Sequence, residues 1–168
     1  DRIYAALSGL VPVSTLLREV PIEPSMVDAS TPLWPGTGTT AQNGWRAFDG
    51  DLDTAPDTLA AVSWIDVRLP DAAVLDGLRI HPRANNVARA NGTILQGSTD
   101  DGATWVDLHT IGGVNDLRWY EFPMTRTPAY QRLRIYDGHD GRANLAEVEF
   151  LRRINDTTLL AVLVDEAR

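Results

Sequence analysis

Trp64-Ile-Asp-Val-Arg-Leu69 alternates without a break: Ile65, Val67 and Leu69 fall on one side of an extended chain, and Trp64, Asp66 and Arg68 fall on the other. Successive side chains of a strand point to opposite faces, so such a run buries one face and wets the other. The same period of two returns where Leu78 and Ile80 alternate with Arg79 and His81, and where Leu133 and Ile135 alternate with Arg132, Arg134 and Tyr136. Residues 93–98, 104–110, 118–122 and 145–151 read as further strands, with turn signals between strands at Asp71, Asp101-Gly102, Gly112-Gly113 and Asp137-Gly138. Asp100-Asp-Gly-Ala103 is a strong hairpin signal. Many short strands without a long stretch of 3.6-residue period predict an all-β chain folded as an antiparallel β-sandwich. Its expected core holds Trp64, Trp105, Ile80, Ile94, Leu133, Ile135, Val148 and Phe150, with Trp119 also inside, and Trp105→Ala is then expected to cost ~3–5 kcal/mol.

A second stretch, Arg46-Ala-Phe-Asp-Gly-Asp-Leu-Asp-Thr54, puts Asp49, Asp51 and Asp53 at alternate positions on one tight turn. Like charges so close repel unless a cation sits among them, and carboxylate, carbonyl and hydroxyl oxygens are the hard ligands that Ca²⁺ prefers. A solvated Asp-Gly turn is the plain alternative. The turn is not an EF-hand, because counting from Asp49 the sixth position is Thr54 where Gly is needed and the twelfth is Ala60 where Glu is needed.

Taken together, Ala47-Phe-Asp-Gly with Thr54, Trp64 to Leu69, Gln96-Gly-Ser-Thr-Asp-Asp-Gly-Ala-Thr-Trp105, Arg132-Leu-Arg-Ile135 and Leu145-Ala-Glu-Val-Glu-Phe150 resemble a galactose-binding-like domain. That superfamily includes the discoidin (coagulation factor V and VIII type C) domains and the family 32 carbohydrate-binding modules. The resemblance covers about residues 26 to 152 and narrows the sandwich to a jelly roll. It also implies a structural calcium held between an early Asp-Gly turn and a late Ala-Glu pair. On this chain the ligands would be the carboxylates of Asp49 and Glu147, the hydroxyl or carbonyl of Thr54, and the carbonyls of Arg46, Asp51 and Ala146.

The 168 residues, 43% hydrophobic, suffice for one domain with a substantial core. A net charge of −8 without any basic block argues against nucleic acid and against an anionic membrane surface. All 15 basic residues are Arg and none is Lys, which fits a GC-rich bacterial gene. The absence of cysteine excludes disulfides and thiolate metal sites. No stretch reaches the ~18 apolar residues of a membrane span.

The expected organisation is a connector or the edge of a preceding domain over residues 1–25, the discoidin-like module over 26–152, and an apolar extension or linker over 153–168. Prolines in Val20-Pro-Ile-Glu-Pro24 favour extended chain in the connector. The apolar run at 157–164 is expected to pair with the apolar segment before Pro12. Residues 25–44 read as a loop around Trp34, which serves either as a stacking platform for a sugar ring or as a lid on the core.

Function in a sandwich resides on the loops at one end of the strands. The resemblance puts a sugar-binding Arg at Arg83, just after Pro82, and a sugar-binding Asn at Asn91. It implies stacking aromatics as well, for which Trp34 and Trp45 are candidates. In the late loop Asp137-Gly-His-Asp-Gly-Arg-Ala-Asn144 the only ring is His139, which can bond a hydroxyl, while Arg142 can reach an acidic sugar. A loop Arg paired with a nearby Asp is the structural alternative to sugar binding at Arg83. No Gly-x-Ser-x-Gly, His-Glu-x-x-His, Walker or dinucleotide pattern exists, and no carboxylate pair is placed as a glycosidase requires.

The leading expectation is therefore a non-catalytic module of a larger secreted or cell-surface protein, such as a polysaccharide-degrading enzyme. It would bind a polysaccharide or glycan and pack beside neighbouring domains of the same chain. A protein-interaction, adhesion or spacer module of discoidin type is the alternative.

Overall fold

The computed structural model describes residues 17 to 153. Among the described residues nine strands form two antiparallel sheets, as the alternation requires, joined by one short α-helix and two 3₁₀ turns. The four-stranded sheet is ordered β1 (Leu17–Glu19), β9 (Leu145–Arg153), β4 (Gly77–Pro82), β7 (Tyr120–Pro123). The five-stranded sheet is ordered β2 (Val27–Ala29), β3 (Ser63–Val74), β8 (Ala129–Asp137), β5 (Ile94–Ser98), β6 (Val106–Thr110).

The core fills the space between them. Ile65, Val67 and Leu69 of β3, Leu133 and Ile135 of β8 and Leu95 of β5 meet Leu78 and Ile80 of β4 and Val148 and Phe150 of β9, all buried. Pairing sets the layers: Ile65 lies opposite Ile135, and Leu78 opposite Phe150. Burial of such side chains contributes roughly 1.5–3 kcal/mol each.

Four residues expected inside are only half-buried. Ile94 pairs with Tyr136 on the outward face of β5, while its neighbour Leu95 turns inward. Trp64 shares that outward face, opposite Tyr136. Trp105 precedes β6 by one residue and lies under the guanidinium of Arg134, 4.1 Å from its ring centroid. Trp119 likewise precedes β7, and packs outside the four-stranded sheet against Arg79 and His81. The cost expected for Trp105→Ala falls accordingly, because no sealed cavity is left behind.

The sandwich also begins earlier than residue 26. Leu17–Glu19 pairs with the end of β9, Leu17 opposite Arg153, so these residues are an edge strand and not a connector. The run expected to be loop contains β2 and the helix α1 (Thr40–Trp45). Thr39 caps α1 through its hydroxyl, and Gln42 returns the bond to the Thr39 N–H, a reciprocal capping box. Gly44 lets the helix lie on β2, since a Cβ there would stand 2.9 Å from the Asp28 carbonyl. The pairing expected between 157–164 and the segment before Pro12 lies outside the described residues.

The loops leaving the far ends of β2, β4, β6 and β8 all emerge at one end of the sandwich, because Ser63 pairs with Asp137 and Pro82 with Leu145. The opposite end carries the β5–β6 hairpin, where the Asp100 carboxylate accepts from Thr104 and Ser98 and is held down at about 2 by those bonds.

Candidate functional site

The loop end is built around residues 56–58. Asp57 takes a hydrogen bond from Arg83 Nη1 at 2.7 Å on Oδ2, and its backbone carbonyl accepts from the Trp34 N–H at 2.8 Å. Its own N–H donates to Asn43 Oδ1, and Asn43 Nδ2 donates to the Thr31 carbonyl, which ties the 31–39 loop down. Asn144 Nδ2 donates to the Pro56 carbonyl, and the Thr58 N–H donates to the Arg142 carbonyl. Trp34, Arg83 and Arg142 therefore converge on one short segment. The Arg142 guanidinium lies over the Trp34 ring, 5.3 Å from its centroid, while the ring itself is 55% exposed. So Trp34 stands exposed at the rim and does not roof the core.

This cluster is incompletely satisfied. Asp57 Oδ1, Arg142 Nε and Asn144 Oδ1 are buried without a hydrogen-bond partner. Arg142 Nε has Asp140 only at 3.5 Å, an ion pair without a hydrogen bond. Unpartnered buried polar atoms cost roughly 1–3 kcal/mol each. Asp57, Arg142 and Asn144 thus concentrate unmet hydrogen-bonding capacity in one network at the loop end.

Two expected site residues are otherwise occupied. Asn91 spends its amide on the backbone, Oδ1 accepting from Val114 N–H at 2.9 Å and Nδ2 donating to the Val114 carbonyl at 2.8 Å, and so it clamps the loop after β6. His139 is held on both ring nitrogens, by the buried Asp137 carboxylate at 2.8 Å and by the Asn91 carbonyl. Trp45 faces neither this cluster nor the core alone: it lines a neighbouring cavity and packs its inner edge on the hydrophobic cluster. Sequence reasoning missed Asp57 and Asn144, since a lone Asp after Ala-Pro and a lone Asn before a strand carry no spacing signal.

The acid turn lies beside this end. Phe48 packs against Phe150, and the Val148 N–H donates to the Ala47 carbonyl, so β9 is docked onto the turn. Gly50, in the left-handed region at φ 77°, presents its N–H to Glu147 Oε1 at 2.6 Å. Thr54 donates its hydroxyl to Asp49 Oδ2 at 2.8 Å and its N–H to the Asp51 carbonyl at 3.0 Å. Asp49, Asp51, Thr54 and Glu147 are thus brought together across 97 residues of chain. Glu147 is 5% exposed, and its carboxyl is pushed up to about 7, first by burial and then by the adjacent Asp49 charge. Among the described residues no cluster of three or more His, Cys, Asp or Glu side chains is placed to hold a metal, so a cation here would depend on backbone and hydroxyl oxygens as well as on the two carboxylates.

No protein-family model matches the sequence, and no curated protein does. Solved structures match the fold. The CBM62 module of Clostridium thermocellum Xyl5A superposes with a TM-score of 0.67 at 23% identity, over 79% of this chain and 95% of its own. An F5/8 type C domain of a Bacteroides fragilis protein gives 0.62 at 16% identity, over 80% and 96%. The family 32 module of Clostridium perfringens NanJ, determined in complex with galactose, gives 0.58 at 17%, over 82% and 100%. The β-sandwich fold of this chain is thus shared with these carbohydrate-binding and F5/8 type C modules.

Proposed function

We propose that this chain is a non-catalytic carbohydrate-binding module whose glycan is taken at the loop end, on Trp34, Arg142 and the Arg83–Asp57 pair. The observation that carries the reading is the group of buried, unpartnered polar atoms gathered beside one exposed indole. An indole face matches the apolar C–H face of a pyranose, and the convergent donors and acceptors match its hydroxyls. Shared architecture with modules that bind galactose, as in the NanJ structure, supports it. The parent would be a larger secreted or cell-surface protein that acts on polysaccharide. Among the described residues no helix is long and apolar enough to cross a membrane.

Calcium belongs to this proposal as a structural ion. A buried carboxyl raised to about 7 next to a second carboxylate fits a site made for a cation. Asp49, Glu147 and Thr54 would hold it, with the carbonyls of Arg46, Asp51 and Ala146. The ion would supply the charge that lets both carboxylates stay ionised.

A glycan array spanning neutral and acidic sugars, run on the 168-residue chain and on Trp34→Ala, tests the binding reading. Retention of one glycan class by the native chain and its loss in the variant supports the module. A blank array favours the discoidin-type interaction module.

A further inference from the structure

Next to the loop-end cluster lies an open cavity of about 400 Å³ lined by Leu33, Thr37, Asn43, Trp45 and Arg46, with Asp49 and Thr54 of the acid turn at its border with the proposed calcium site. That volume falls within the roughly 300–1,000 Å³ of small-ligand pockets. Arg46 is half-buried here, yet among the described residues its guanidinium has no ion pair and no acceptor, although the chain carries 23 carboxylate side chains. Asp49 shares the cavity without pairing to it, because its oxygens accept from the Asp51 N–H and the Thr54 hydroxyl. The Trp45 indole N–H also lacks a partner among the described residues. An aromatic side chain and donors free of protein partners, lining one concavity, complement a polyhydroxylated ring.

The cavity and the cluster are neighbours by construction. Leu33 lines the one and Trp34 rises from the other, and the Asn43 side chain that walls the cavity accepts from the Asp57 N–H at 3.1 Å. From this geometry we infer a second sugar subsite on Trp45 and Arg46, which takes the next residue of the glycan bound at Trp34 and Arg142. The inference rests on the proposed function and refines its ligand class: the module selects oligosaccharide chains over single terminal sugars.

Calorimetric titration of the whole chain tests this, with mono- to hexasaccharides of whichever glycan class the array returns. Affinity should rise tenfold or more from one sugar residue to two or three. In Arg46→Gln and Trp45→Ala the ratio of oligosaccharide to monosaccharide affinity should fall to about one. Arg46→Gln carries the test if Trp45→Ala does not fold. Affinity independent of chain length in the native protein, or a length gain that survives Arg46→Gln, overturns the second subsite and leaves the loop-end reading standing. Loss of length dependence in Arg46→Gln, together with about tenfold weaker binding of every chain length in Trp34→Ala, supports both. Absence of binding to every glycan overturns both.

Discussion

Arg134 and Arg142 both lie over aromatic rings, 4.1 Å from the centroid of Trp105 and 5.3 Å from that of Trp34, yet their surroundings differ throughout. Arg134 stands on the outer face of the five-stranded sheet, where Nε and Nη2 donate to Gln96 Oε1 at 2.8 and 2.6 Å and Gln96 Nε2 donates on to Asp107. Beside it Arg132 is paired with Asp66 and with the Asp101 carbonyl. The Arg134–Gln96 pair follows the strand register, while Arg132, which lies opposite Arg68, reaches Asp66 diagonally across the sheet. Arg142 stands on a loop at φ 60°, with a buried Nε that nothing accepts from and a ring beneath it that is mostly exposed. An arginine on an aromatic ring is thus architecture where strands supply every partner, whereas Arg142, whose loop leaves partners out, is the binding element of the function proposed above.

The strongest test of this contrast extends it to the acid turn, where the buried Glu147 carboxyl has a backbone donor but no compensating positive charge. Without metal, the Glu147 carboxyl stays neutral up to about 7 in the folded chain, against an ordinary value of 4.5. Folding therefore retains a proton that the unfolded chain gives up. Stability should be full below pH ~4.5 and decline as pH rises through about 7, by on the order of 3 kcal/mol. Calcium at 100 times its dissociation constant should return about 2.7 kcal/mol at neutral pH, with Mg²⁺ far less effective. Glu147→Gln should abolish both responses. Thermal melts with chelator, across pH, measure this, and melting indifferent to both would make the turn merely a turn.

A smaller effect is expected on the sheet face. Arg134→Ala should destabilise by about 2 kcal/mol in urea denaturation, since it removes a charge-assisted hydrogen bond and a cation–π contact, and glycan affinity should be unchanged. Loss of binding in that variant would break the contrast.

Smaller still in stability is the loop end. Trp34→Ala and Arg142→Ala should each shift unfolding by less than ~0.5 kcal/mol while lowering glycan affinity about tenfold, or ~1.4 kcal/mol. Variants that melt early but bind normally would place Arg142 with Arg134 as a structural element.

Strand positions were legible because a period of two needs only neighbouring residues. The facing of individual side chains was less so. Ile94-Leu-Gln96 offers two apolar residues in succession, and only pairing with Tyr136 and Ile135 decides that Leu95 is the inner one. Trp64 sits among Asp66 and Arg68 on the wet side of its own alternation, and its size alone suggested burial. The helix α1 was readable from Thr39 and Gln42, whose spacing is that of a capping box, but its six residues are too few to show a period. At the site, the acid turn announced itself through spaced like charges, and Glu147 came only with the family resemblance. Asn91 misled because its partner, Val114, is 23 residues away and identifiable only in the fold.

The pairing of β1 with β9 has a mechanical consequence. Leu17 and Arg153 face each other at the same end of an antiparallel pair, so tension applied at these two points loads the bonds between them one after another, as a zipper is opened. Three residue pairs hold β1 to its neighbour, and they should part in turn at low force. The nine residues of β9 extend about 30 Å from Arg153 to Leu145, where the loop end begins. A pull on the chain is therefore absorbed at the far pole of the sandwich, and a grip held at Trp34 and Arg142 would outlast the first yielding of the tether.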